Sequence, residues 1–232
     1  MTLARLRLMQ LVSPALPVGG FSYSEGLESL VQQGRLADAT AVEEWLRVEL
    51  ERGCVRIEAT SLRPFRTDWQ AWCEGDRGAA QRLRDRDGRL LAMREAAPVR
   101  AQQQQMGRSL LQVLEALGSP PPGDLAANLS DWSGPSWTAA WAWAGLVWRI
   151  PSADLVLAYL HGWVANQLSA AVRLVPLGPV QAQHLLHDLA PLVQDQASHC
   201  LTADPQTLWT AGVGASMSQL HHDELYSKLF RS

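Results

Sequence analysis

The sequence has only three cysteines, Cys54, Cys73 and Cys200, widely spaced and without a CxxC pair. That arrangement suggests neither a disulfide framework nor a thiolate metal site, and it suits a reducing cytosol. Net positive charge is also missing. The formal balance is −3 at pH 7, which removes the simplest electrostatic case for binding nucleic acid. No window reaches the roughly eighteen uninterrupted apolar residues of a membrane span, and Met1 to Leu11 lacks the apolar run and small-residue cleavage site of a secretory leader. Membrane spanning and secretion are therefore not expected, and the expected location is cytoplasmic.

Three further absences concern fold and chemistry. No stretch alternates apolar and polar residues over strand length with β-branched enrichment, so a sheet has little to be built from. A nucleotide-binding loop needs GxxxxGK followed by Ser or Thr, and Gly19 and Gly20 have no such lysine downstream. The segment Gly20-Phe21-Ser22-Tyr23-Ser24-Glu25-Gly26 superficially suggests a nucleophile elbow, but neither serine has a glycine on both sides. Ser22 and Ser24 are expected to be turn or cap residues.

What is present points to one all-α domain over residues 1–232. At 47% hydrophobic and 19% charged, the chain is too apolar for disorder and long enough to bury one core. Ten Trp accompany only three Phe and three Tyr. Indoles must then supply most of the aromatic volume, each with an N–H that wants a partner when buried.

A compact bundle of roughly eight to ten helices is expected. Pro14, Pro17, Gly19 and Gly20 predict an ordered turn over Leu11–Gly20, and the N-terminal segment to about residue 20 reads as loop-like. Thr40 and Glu43 form a capping-box pattern ahead of the stripe Val42, Trp45, Leu46 and Leu50. Pro64 and Pro191 are expected to kink or divide their helices, and Gly88, Pro98 and Gly107 to split Gly78–Leu117 into two or three. Ser119–Gly123, with Pro120 to Pro122, reads as a turn or extended connector and as the place for local disorder.

Trp137, Trp141, Ala144 and Trp148 share one helical face, a pattern more often a packing seam than a partner face. Ser152 is a fair cap for a long helix reaching Val175, whose small residues Ala158, Gly162, Ala165, Ala170 and Ala171 permit close approach. Helical patterns continue over Gln181–Cys200 and from Pro205 to about His222.

Chemistry is sparse. His184 and His187 could share a helix face and a divalent ion, but their only acidic company is Asp188, so a solvated or packed pair is the better account. His161 reads as a core histidine. The run Arg77, Arg82, Arg84, Arg86, Arg89 and Arg94 is interleaved with Asp76, Asp85, Asp87 and Glu95 and reads as a charge-balanced solvated face. Glu49 and Glu51 read as ordinary positions on an amphipathic helix.

Three blocks resemble the UreF family of urease accessory proteins. They are Leu8–Glu28 (LMQLVSPALPVGGFSYSEGLE), Ala158–Gly178 (AYLHGWVANQLSAAVRLVPLG) and the tail from His222 through Tyr226-Ser227-Lys228-Leu229-Phe230-Arg231-Ser232. A weaker match covers Arg94-Glu95, Arg100 and Gln105–Leu110, where Pro98 and Gln102 to Gln105 depart from a usually more acidic stretch.

The resemblance implies a cytosolic, non-catalytic scaffold that dimerises, binds the accessory protein UreD (also called UreH), recruits the GTPase UreG and docks on apo-urease. Nickel would be handled by the complex, with no metal ligand, catalytic residue or tightly bound cofactor in this chain. By the same resemblance, partner contacts fall to Pro14, Leu16, Pro17, Gly19, Gly20, Phe21, Glu25 and Glu28 of the opening block, and to Tyr226, Leu229, Phe230 and Arg231 of the tail. Tyr159, Asn166, Gln167 and Arg173 would lie near the dimer or GTPase surface. The tail, from about residue 222 to 232, is expected to be ordered by partners. Competing readings are a helical adaptor unrelated to urease, a nickel-binding protein using the six histidines, and a hydrolase acting through Ser22 or Ser24.

Overall fold

A computed structural model of the chain describes residues 3–122, 132 and 134–232. Among them are ten α-helices and no strand: α1 (Leu3–Leu11), α2 (Leu27–Gln32), α3 (Ala39–Arg52), α4 (Cys54–Cys73), α5 (Arg77–Ala92), α6 (Ala97–Ala116), α7 (Trp137–Val147), α8 (Ser152–Leu174), α9 (Pro179–Thr202) and α10 (Val213–His221). The all-α expectation holds. Residues 119–122 of the proline-rich connector are neither helix nor strand, as expected of a connector, and Gly123 lies outside the described residues.

Helix α4 is the axis of the bundle and packs against α3, α5, α7, α8 and α9. Its interior side carries Val55, Ile57, Ala59, Leu62, Phe65 and Trp69, all essentially inaccessible to solvent. Removing a leucine or phenylalanine side chain from water contributes about 1.5–3 kcal/mol, so this one helix anchors much of the core. That burial explains why α4 runs through Pro64 as a single element, and α9 likewise through Pro191. A lost backbone hydrogen bond costs less than separating the faces on either side.

The indoles satisfy their N–H groups as expected. Trp69 donates to Ala139 O at 2.9 Å, Trp141 to Leu155 O at 3.3 Å and Trp143 to Ser119 O at 3.2 Å. Trp141 and Trp148 are buried and Trp137 is half-buried, so the indole stripe is mainly a packing seam. Trp45 differs, with a buried N–H that has no partner among the described residues.

Several local expectations are corrected. Residues Leu3–Leu11 form a helix where a loop was expected, while the turn begins after Leu11. Asp38, not Thr40, caps α3, accepting from Ala41 N at 2.9 Å. Ser152 is the first residue of α8 and makes no capping bond; Pro151 precedes it. Gly88 and Gly107 lie inside helices. At Gly107 the reason is space: a Cβ there would collide with the backbone of Pro135 and Ser136, so α6 needs glycine to let that segment pass. The last helix spans only Val213–His221, and residues 205–212 are not helical.

Candidate functional site

The turn after α1 is built to aim a carboxylate inward. Glu25 has φ 51° and Gly26 has φ 87°, two successive left-handed residues that reverse the chain into α2. A non-glycine residue in that region carries about 1–3 kcal/mol of strain, which surrounding contacts must offset. At Gly26 a Cβ would stand 2.5 Å from Ser218 Oγ and 2.9 Å from Gln219 N, so glycine also lets α10 close on the turn.

Those contacts form a buried network. Glu25 Oε1 accepts from Gln102 Nε2 at 2.9 Å, and Oε2 accepts from Trp163 Nε1 at 3.3 Å and lies 3.6 Å from Arg94 Nη1. Arg94 donates through Nε and Nη2 to Glu58 Oε1 at 2.9 and 2.5 Å. Tyr159 OH donates to Glu58 Oε2 at 3.0 Å and pairs with Thr138 Oγ1 at 3.0 Å. Ser232 Oγ donates to Gln102 Oε1 at 2.6 Å, and Gln219 Nε2 donates to the main-chain oxygen of Glu25 at 3.2 Å. Eight parts of the chain, from the opening turn to the tail, thus meet around two carboxylates and one guanidinium.

Electrostatics follow from burial. Desolvation raises the Glu58 carboxyl above its ordinary value despite the neighbouring Arg94. For Arg94, burial alone would lower the guanidinium, but the carboxylates of Glu58 and Glu25 hold it well above its usual range. Burial and then Glu58 push Tyr159 up.

Glu49, on α3, completes the set. Its carboxyl lies against Gly53 and Gly212, and burial, with smaller contributions from Glu25 and Glu58, outweighs Arg94 and pushes it up to about 7. The unfolded chain ionises this group near 4.5, so stability falls as pH rises between the two values. Glu49→Gln is expected to add up to about 3 kcal/mol at pH about 8 and almost nothing at pH about 4. Urea denaturation at the two pH values checks this; an equal effect at both would refute it.

The tail is clasped by a second carboxylate. Glu28 Oε1 accepts from Leu229 N at 2.7 Å, and Oε2 accepts from Phe230 N at 3.0 Å and lies 3.2 Å from His222 Nε2. Ser24 gives its N–H and hydroxyl to the main-chain oxygen of Ser232 at 2.9 and 2.7 Å, and Arg231 N donates to Ser22 O at 2.9 Å. Arg173 lies 4.7 Å over the Phe230 ring. The chain holds the tail itself, a placement that a partner-ordered tail did not include. Ser24, whose hydroxyl is buried and engaged, is not a free nucleophile.

The residues expected to meet partners therefore divide. Pro14, Pro17, Phe21, Arg173, Tyr226, Leu229 and Arg231 are exposed, and Gly19, Gly20 and Asn166 are half-buried. Leu16, Glu25, Glu28, Tyr159, Gln167 and Phe230 are buried within this chain and offer no surface in it. Gln167 is fully enclosed with both amide atoms unpaired among the described residues.

Sequence reasoning missed Glu49, Glu58, Gln102, Gln219 and His222, and misplaced three others. Arg94 is buried, not part of a solvated face, and so is Asp87, which accepts from Ser136 N at 3.1 Å and Trp132 Nε1 at 3.0 Å. Burial pushes Asp87 up to about 6. His161 is exposed. Within the rest of the arginine run, Arg82 and Arg86 reach Asp68 at 2.9 and 3.1 Å. A usable signal existed at Glu49, which falls beside Leu46 and Leu50 on the apolar stripe of α3.

Outside, apolar side chains line α10 and its neighbours: Trp209, Val213, Met217, Leu220, Tyr226 and Leu229 are all exposed. Val213, Met217 and Leu220 stand four and three residues apart, on one face of the helix. Among the described residues no group of three His, Cys, Asp or Glu is placed to hold a metal ion, and no helix is long and apolar enough to cross a membrane.

The class defined by these features is an all-α bundle stapled to its own C-terminal tail by a buried ionic network, with an apolar row turned outward beside it. The sequence profile of the UreF family matches residues 36–190. The urease accessory protein UreF of Thermosynechococcus vestitus is 37% identical over 230 residues, covering 99% of this chain and 98% of the relative. Those of Microcystis aeruginosa and Pseudomonas fluorescens are 38% and 37% identical, each covering 97% or more of both chains. The chain belongs to the UreF family of urease accessory proteins.

Proposed function

We propose that this chain is a non-catalytic scaffold and regulator of nickel delivery into apo-urease, acting in the cytoplasm as a dimer together with a UreD-type accessory protein and the GTPase UreG. Nickel is cargo of the assembly and not a resident cofactor of this chain.

The observation that supports the reading best is the exposed apolar row on α10 and the tail. An exposed apolar row of this kind is costly in water and is characteristic of a protein-binding surface. It borders the tail, which Glu28 and Ser24 hold in one position, so the surface is preorganised and loses little entropy on docking. The occupant we assign to it is the UreD-type protein.

Co-expression with a UreD-type protein and affinity capture tests the assignment. Met217→Glu combined with Leu220→Glu is expected to weaken capture by at least about 30-fold, the scale of a hot-spot loss, with unchanged helical circular dichroism. Full capture by the doubly charged variant overturns the assignment. Urease activation with limiting nickel, with and without GTP, then tests the wider role.

A further inference from the structure

Beneath the opening turn lies a cavity of about 330 Å³ that reaches the ionic network. Its lid is the Pro14–Phe21 segment, its walls come from α6, α7 and α8, and Glu25 and Glu58 line its inner end. The exposed Phe21 and Ser169 mark its mouth. Small residues on α8 make the space: a Cβ added at Gly162 would meet nothing within 4 Å. Volume and composition suit a small-molecule site, mostly apolar with a few convergent polar groups.

We propose that this cavity is a binding site for an organic cation, a guanidinium or ammonium head on a short aliphatic stem. Two features carry the inference. The first is charge: Glu25 and Glu58 face one guanidinium, Arg94, so the inner end of the cavity holds two carboxylates against one fixed cation. Unpaired charge in a low-dielectric interior is costly, and a second cation there removes the cost. The second is the wall. Trp137, Trp141, Trp163 and Tyr159 all line the cavity, and aromatic surfaces with nearby carboxylates are the recognised chemistry for diffuse organic cations.

A bare metal ion fits less well. Each of the four carboxylate oxygens already accepts a hydrogen bond from Arg94, Gln102, Trp163 or Tyr159, which leaves little lone-pair density for inner-sphere coordination. A delocalised cation needs only the field and the ring faces. The site stands independently of the assembly reading.

Titration of the full chain with n-butylguanidinium, followed by indole fluorescence and calorimetry, tests the proposal, with neutral n-butylurea as the shape-matched control. Saturable one-to-one binding of the guanidinium is expected, with the urea at least about tenfold weaker. Gly162→Phe fills the cavity without touching a charge and should weaken guanidinium binding at least about tenfold at unchanged circular dichroism. Glu25→Gln should do the same, and Gly162→Phe keeps the test decisive if that variant does not fold. Equal affinity for the urea, indifference to Gly162→Phe, or displacement of the guanidinium by stoichiometric Ni²⁺ overturns the proposal. A further arm adds the accessory partner: displacement of the probe identifies the natural cation as a lysine or arginine of that protein, and retention identifies it as a free amine or guanidine.

Discussion

Arg94→Ala is expected to destabilise the fold by about 3–5 kcal/mol, the cost of breaking a buried ion pair and leaving its partners uncompensated. Arg94 is only 3% exposed and is the cation of a network whose anions, Glu25 and Glu58, are equally enclosed. For a chain of this length each kcal/mol moves the thermal midpoint by about 2–4 °C, so a fall of roughly 6–20 °C should appear in a melting curve. The mechanism has its own signature. Glu58→Gln added to Arg94→Ala removes one of the orphaned charges, so the double variant should be more stable than Arg94→Ala alone by about 1–2 kcal/mol. Additive losses in the two variants would show that Arg94 contributes packing and not charge balance.

Glu28→Ala should release the tail while leaving the bundle folded. Its carboxylate is the shared acceptor for Leu229 N and Phe230 N and lies beside His222 Nε2, across about two hundred residues of sequence. Hydrogen bonds to a charged group are worth about 1.5–3 kcal/mol each, but the tail can recover part of this from water. The net effect expected is about 100-fold faster hydrogen exchange at Leu229 and Phe230, with core amides of α4 unchanged. Glu28→Gln keeps one acceptor oxygen and should fall between. If the α10 row is the docking surface, Glu28→Ala should also weaken capture by a UreD-type protein, because an unclasped tail must be ordered on binding. Exchange at wild-type rates in the alanine variant would show that Arg173 stacking and the Ser22 and Ser24 bonds hold the tail without Glu28.

Both predictions turn on carboxylates whose importance was only partly visible beforehand. Helices α3, α4, α8 and α9 are legible because their apolar residues repeat at helical spacing and their ends carry glycine or proline. Helix α1 is not legible: Leu3, Leu6 and Met9 are exposed, so its apolar residues do not mark a buried face. Pro64 and Pro191 mislead for the opposite reason, since a local rule about proline is overridden by packing on both sides of the helix. Arg94 and Asp87 mislead because they stand in a run of mixed charge, where burial of two members in ten leaves no periodic trace. Blocks Leu8–Glu28, Ala158–Gly178 and the tail mark the right regions, yet six of their sixteen singled-out residues turn inward.

By itself the sequence determined the helical class, the family and the absence of a nucleotide loop or nucleophile elbow, because each is written in local spacing. Only the tertiary structure decided that Glu25, Glu58 and Arg94 share one buried site, that Glu28 holds the tail, and that a cavity opens beneath the turn. Those facts depend on pairs up to about two hundred positions apart, and no local pattern records which distant partner will neutralise a buried charge.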